Sequence, residues 1–176
     1  MRVLHLGKFY YPYRGGIENH LQNLCHGLKS QVDLEVVVAN TSNETVIETI
    51  EGVKVTRVGE RARIASTPIC PGLRRVLSKA RYDILHVHLP NPMAVMAYLS
   101  LEKVGVLIVT YHSDIIRQRL LLPLYGPFER RFLGHAHTII ATSPNYVPTS
   151  PMLSRFAGKC VPIPHGIDPV EAIRTE

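Results

Sequence analysis

What most limits the fold of this chain is a regular alternation of short, β-branched apolar runs with longer segments of helical periodicity. Residues 3–6 read as a first strand ended by Gly7, and Ile17, Leu21, Leu24, Cys25 and Leu28 then recur on one helical face. Residues 34–39 and 53–58 read as the second and third strands, and residues 73–80 as a short basic helix. Residues 84–88 form the next strand, and Pro90, Asn91 and Pro92 punctuate its exit before a helix rich in Met and Ala. Residues 106–110 are a further buried strand. Residues 115–133 have helical character broken at Pro123 and Pro127, residues 138–142 give another strand, Pro144 begins a helix, and residues 160–163 close the series.

Continuous apolar strands separated by helices are the mark of a parallel sheet covered on both sides. With right-handed crossovers, the expected fold class is α/β: a Rossmann-like, doubly wound, mostly parallel sheet with helices on both faces. A chain of 176 residues fits one such domain, and 45% hydrophobic against 19% charged residues sets disorder aside. Ligands of such sheets sit beyond the carboxyl ends of the strands, where this sequence gathers its polar residues. The N-terminal apolar run is too short for a signal peptide and no run approaches a membrane span. Cys25, Cys70 and Cys160 have no paired spacing, which fits a reducing compartment. A cytoplasmic location is expected.

Two nucleotide-binding readings can be tested on spacing. A dinucleotide fold needs Gly-x-Gly-x-x-Gly after the first strand and an acidic residue ending the second. Here Gly7 is followed by Lys8-Phe9-Tyr10-Tyr11-Pro12-Tyr13-Arg14 before Gly15 and Gly16, and the second strand ends in Ala39 and Asn40. A P-loop motif is absent as well, which sets hydride transfer and nucleoside triphosphate hydrolysis aside. The formal charge of +6 comes from scattered basic pairs with no long basic run. It favours phosphate-bearing ligands or an anionic membrane surface, and no nucleic-acid partner is expected.

Arg14-Gly15-Gly16-Ile17-Glu18 lies where the first loop enters the first helix. Two glycines there let a ligand approach the backbone, and the helix start turns free amides and the positive dipole end toward it, as a diphosphate requires. A plain glycine turn is the competing reading. Glu18 suits the first turn through the dipole. Tyr10, Tyr11 and Tyr13 either line an acceptor site or are partly buried loop aromatics. Among nine histidines, His112 stands at the ligand edge in Thr110-Tyr111-His112-Ser113-Asp114, and Asp114 either orients it or caps the next helix. His86 and His88 share a strand face, yet no neighbouring Cys, Asp or Glu completes a metal shell in sequence, so no metal is expected. His5 reads as a core residue, and His20, His26, His135 and His137 as surface or core-edge positions.

In these residues the chain resembles the family 4 retaining glycosyltransferases of the GT-B fold. The resemblance rests on the loop to Gly15-Gly16-Ile17-Glu18 and on Asp83-Ile84-Leu85-His86-Val87-His88. It continues in Tyr111-His112-Ser113-Asp114, in Glu129-Arg130-Arg131-Phe132-Leu133 before residues 139–143, and in Pro162-Ile163-Pro164-His165-Gly166-Ile167-Asp168. Within that family it is most similar to transferases that build bacterial surface polysaccharide. The resemblance implies that residues 1–163 are the N-terminal, acceptor-side domain and residues 164–176 a hinge toward a C-terminal donor-binding domain. It implies donor-diphosphate binding at Gly15 and Gly16 and a catalytic His112 on the transferred sugar. Tyr10, Arg14, His88 and Asp114 would face the acceptor or the cleft. The implied donor is a nucleotide-sugar such as a UDP- or GDP-sugar, used without a metal or other cofactor, and the acceptor a glycan or lipid-linked glycan. His165 departs from the family's usual Asn or small apolar residue.

The segment 117–133 mixes basic and apolar side chains, so it either touches the inner membrane face peripherally or packs as an ordinary amphipathic pair. Two other functions stay open: a non-catalytic module that binds a glycan or pairs with a partner subunit, and a sugar-nucleotide epimerase.

Overall fold

The computed structural model describes residues 1–102, 105–114 and 122–166. The order is β1 (Arg2–Leu6), α1 (Gly16–Leu28), β2 (Asp33–Ala39), β3 (Val46–Ile50), β4 (Val53–Val58), β5 (Ala62–Ile64), β6 (Thr67–Ile69) and α2 (Leu73–Lys79). There follow β7 (Ile84–Leu89), α3 (Pro92–Leu99), β8 (Val106–Tyr111), α4 (Leu122–His135), β9 (Thr138–Ala141), α5 (Tyr146–Thr149), a 3-10 helix (Leu153–Lys159) and β10 (Cys160–Pro162). Eight strands make one sheet in the order β10-β9-β8-β7-β1-β2-β4-β3. Every pairing in it is parallel except β3 against β4. The chain winds outward from β1 to both sides, which puts the topological switch point between β1 and β7.

The two-residue period of a strand divides the interior into two layers. Leu4 and Leu6 of β1, Leu85, Val87 and Leu89 of β7, and Leu107 and Val109 of β8 point to one face, under Leu73 and Leu77 of α2, Val95 and Tyr98 of α3 and Phe132 and Leu133 of α4. Leu34, Val36 and Val38 of β2 and Val53 and Val55 of β4 point to the other, where Leu21 and Cys25 of α1 cover them. On β1, β7 and β8 the residues that point to that second face include His5, His86, His88 and Thr110, all buried, with the half-buried Ile108 beside His86. Beside an aliphatic layer, the same side of the sheet therefore carries a layer of imidazoles.

The structure departs from the sequence reading in four places. β3 is an additional edge strand, joined to β4 by Glu51 and Gly52, both at positive φ (49° and 83°), as a two-residue type I′ hairpin demands. β5 and β6 form a second small hairpin the pattern did not signal. Pro127 does not break α4, which runs through it. Gly126 precedes it and has no Cβ to meet the proline ring, the clash that normally forbids helix before proline. Pro144 lies in a turn, and the helix after it is the single turn of α5. The expected helical character of residues 115–121 lies outside the described residues.

Leu6 is fully buried at the sheet centre, between β2 and β7. Leu6→Ala should lower the free energy of unfolding by about 2–5 kcal/mol in urea denaturation, through lost burial and a cavity that a sheet cannot close.

Candidate active site

The loop after β1 is pinned on both sides before it reaches its glycines. Phe9 is buried in the α2–α3–α4 layer and Tyr10 in the α1 layer, at 3% and 1% exposure. Arg57 of β4 donates to the Tyr10 carbonyl at 3.3 Å and to that of Tyr11, and pairs with Glu48 of β3. Gly15 is the N-cap of α1 with no side-chain cap, so the first amides of the helix carry no side-chain acceptor at that position. A Cβ on Gly16 would meet nothing within 4 Å, whereas one on Gly15 would collide with Oε2 of Glu18. Gly16 thus borders open space, and Glu18 is folded back beside Gly15.

Across the switch point stand the histidines. Register places His5 beside His86, and His88 beside Thr110. Nδ1 of His5 is 3.2 Å from Nε2 of His88, and Nδ1 of His88 is 3.2 Å from Nε2 of His112. Nδ1 of His112 is 3.2 Å from Nε2 of His165, whose Nδ1 is 2.6 Å from Nδ1 of His20. His20 is one turn into α1, and its ring lies 5.1 Å from that of His112, so the first turn of α1 and the exit of β8 meet through these two side chains. Thr110 Oγ1 holds Nε2 of His86 at 2.7 Å.

Burial first, and the neighbouring imidazoles second, hold these groups uncharged. His112 is lowered to about 3, and His5 and His20 each to about 4. His86 and His88 are well below the ordinary histidine range for the same reason. At neutral pH the site presents neutral imidazoles, each with one donor and one acceptor nitrogen.

A second buried polar group lies behind β8. Asp114 accepts from the hydroxyls of Tyr111 and Tyr146 at 3.0 Å each and of Ser150 at 2.8 Å. Glu129 of α4 is 2% exposed, and its Oε1 has no partner among the described residues. Burial, then the charge of Asp114, push its carboxyl up to about 7.

Of the residues singled out from sequence, Gly15, Gly16, His88 and His112 come together at the switch point. Tyr10 does not face the cleft: it is core, packed under α1, because the loop needs an anchor on that face. Tyr11 and Tyr13 stay exposed. His88 is sealed below His112 at 1% exposure and reaches the cleft only through it. Asp114 gives its carboxylate to three hydroxyls, while His112 is partnered by His88 and His165; the helix it was read as capping lies outside the described residues. Arg14 is exposed beside Gly15. Sequence reasoning missed His20, which sits three residues after Ile17 and four before Leu24, on the inward stripe of α1 where a polar residue signals a partner.

A mostly parallel sheet wound outward from β1, with helices on both faces, defines a Rossmann-like α/β domain. The chain belongs to glycosyltransferase family 4, whose model matches residues 14–171. It is 38% identical over 172 residues to O-antigen chain mannosyltransferase C of Escherichia coli, covering 96% of this chain and 46% of that protein. It is 34% identical to D-rhamnosyltransferase WbpZ of Pseudomonas aeruginosa, with 96% and 45% covered. The chain therefore spans about half the length of the curated relatives it matches. Among solved structures it resembles sucrose-phosphate synthase from Thermosynechococcus elongatus (TM-score 0.65, 16% identity, 96% of this chain and 49% of that one). It also resembles Anabaena Alr3699/HepE in complex with UDP (TM-score 0.60, 16% identity, 96% and 45%). At that identity the likeness is one of fold, and it agrees with the α/β, Rossmann-like class read from the sequence.

Because the folded state raises the Glu129 pKa, its contribution is fully present below about pH 4.5, where both states are protonated. It is lost as pH rises through about 7. The loss is on the order of 3 kcal/mol. Urea unfolding should show Glu129→Gln more stable than the wild type at pH 8 and nearly equal to it at pH 4; equal curves at both would place Glu129 in water.

Proposed function

We propose that this chain is the N-terminal, acceptor-side half of a retaining, nucleotide-sugar-dependent glycosyltransferase, with residues 1–163 as the domain and residues 164–176 leading to a donor-binding second domain. The observation that carries the reading is the meeting of the α1 N-terminus with the β8 exit. Through His20 and His112, the amides opened by Gly16 and a neutral imidazole border one cleft edge. A diphosphate suits the amides and the dipole, and a sugar attached to it would extend toward His112. With a pKa near 3, His112 stays neutral and serves as a hydrogen-bond donor or acceptor to a sugar hydroxyl, where it can stabilise charge in the transition state. The leaving diphosphate would be held by amides and cationic side chains. Exposed Arg14, Tyr11 and Tyr13 stand where an acceptor glycan or lipid-linked glycan would enter. The name of one curated relative, an O-antigen chain mannosyltransferase, supports a bacterial surface glycan as the product, and the UDP in the HepE complex supports a nucleotide-sugar such as a UDP-sugar as the donor.

No helix among the described residues is long and apolar enough to cross a membrane. Peripheral contact at the cytoplasmic membrane face is supported by α4, where exposed Leu124 and Phe128 lie one turn apart, ahead of exposed Arg130 and Arg131. Vesicle flotation tests this part alone: co-flotation with anionic but not with zwitterionic lipid is expected.

In the full-length enzyme, His112→Ala should lower kcat by about 10²–10³ with an unchanged circular dichroism spectrum. Near-normal turnover removes His112 from the site. Gly16→Ala puts a methyl group into the open space and should raise the donor KM by about tenfold or more. Stability should hold or rise, since alanine is the better helix residue there. Release of free nucleoside diphosphate together with a glycosylated product separates this reading from an epimerase, and absence of both favours a non-catalytic binding module.

A further inference from the structure

The imidazoles at the switch point are more numerous than the transfer reading uses. It calls on His112, yet His20, His88 and His112 each offer a ring nitrogen, and the three ligand atoms lie within 4.8 Å of one another. We propose that His20, His88 and His112 form a binding site for a divalent transition-metal ion of the zinc class, with water or an anion as fourth ligand.

Three features carry the proposal. The first is spacing. A tetrahedral ion with metal–nitrogen bonds of 2.0–2.1 Å separates its ligand nitrogens by about 3.3 Å. Nδ1 of His88 and Nε2 of His112 are already 3.2 Å apart, so an ion can replace the hydrogen bond between them once the rings turn their lone pairs toward it and the His20 nitrogen, within 4.8 Å, closes in.

The second is the outer shell. Metal-bound imidazoles keep one proton, on the nitrogen that faces away from the ion, and usually donate it to a fixed partner. Here Nε2 of His88 faces Nδ1 of His5, and Nδ1 of His112 faces Nε2 of His165, each at 3.2 Å. The two inward nitrogens share one proton, so metal entry needs only that ring to move its proton to the outward nitrogen, with His5 or His165 changing tautomer in step and no net loss of protons.

The third is access. His5, His86 and His88 also cluster within 4.8 Å, but all three are sealed from solvent. His20 and His112 are half-buried, so an ion can reach them. The rings come from α1, β7 and β8, elements that the core fixes in place. Three neutral nitrogen donors suit zinc, cobalt, nickel or copper, and not magnesium or calcium, which take oxygen ligands.

The site does not depend on the transferase reading. If both hold, an ion bound there takes the His112 nitrogen from the sugar, and metal occupancy opposes transfer.

Titrating the metal-stripped chain with zinc chloride in a calorimeter tests the proposal. One saturable site per chain is expected, with tetrahedral d–d absorption when cobalt is used and no heat from magnesium. His20→Gln, on the accessible side of α1, and His112→Ala should each weaken zinc binding by about tenfold or more. His137→Ala, exposed and remote, should leave it unchanged. Folding of each variant is checked by circular dichroism. Absence of saturable zinc binding, or a site equally tight in folded His20→Gln and His112→Ala, overturns it.

Discussion

The register between β1, β7 and β8 governs the site. In parallel strands, residues paired across the ladder point to the same face, so pairing His5 with His86 and His88 with Thr110 gathers polar side chains on the α1 side of the sheet. A slip of one residue would send the imidazoles into the aliphatic layer under α2, α3 and α4 and bring Leu85 and Val87 out of it. The aliphatic residues on the opposite face forbid that slip, so the same hydrophobic burial that holds the sheet together also aligns the histidines.

Burial then decides their chemistry. An imidazole in water is partly charged near neutrality, and a cluster of charged rings would repel itself apart. Desolvation removes the charge, and the neutral rings can meet nitrogen to nitrogen at 3.2 Å in a continuous series from His5 to His165. Their ability to bond a sugar hydroxyl and their ability to ligate a metal have one origin: a nitrogen lone pair that the fold keeps unprotonated and that can exchange its histidine partner for a ligand.

Much of the architecture was legible because it follows from period and punctuation. The apolar runs at β1, β2, β7 and β8 are continuous, as buried parallel strands must be, and the Gly15-Gly16 pair marks the start of α1. What escaped were elements without such a signal. β3 is only partly buried, with Val46 and Ile47 exposed, so its pattern is not distinct from loop, and Glu51-Gly52 is a rarer hairpin turn than Asn-Gly. The placement of the candidate glycines at the start of α1 and of His112 at the exit of β8 was legible, because strand exits can be read from sequence. His20 and His165 join it through contacts over 145 residues of separation, which no local period encodes. Tyr10 misled for a related reason, since an aromatic in a loop reads as exposed until the anchor it provides is seen.

Arg57 ties the Tyr10–Tyr11 backbone to β4 and, through Glu48, to the edge strand β3. Edge strands tolerate variation because little packs against them, yet this one is wired to the loop that delivers the helix start. Sequence drift along the sheet's rim is therefore not silent. It offers a route by which related chains can retune how firmly the glycine loop is held while every residue in the cleft stays the same.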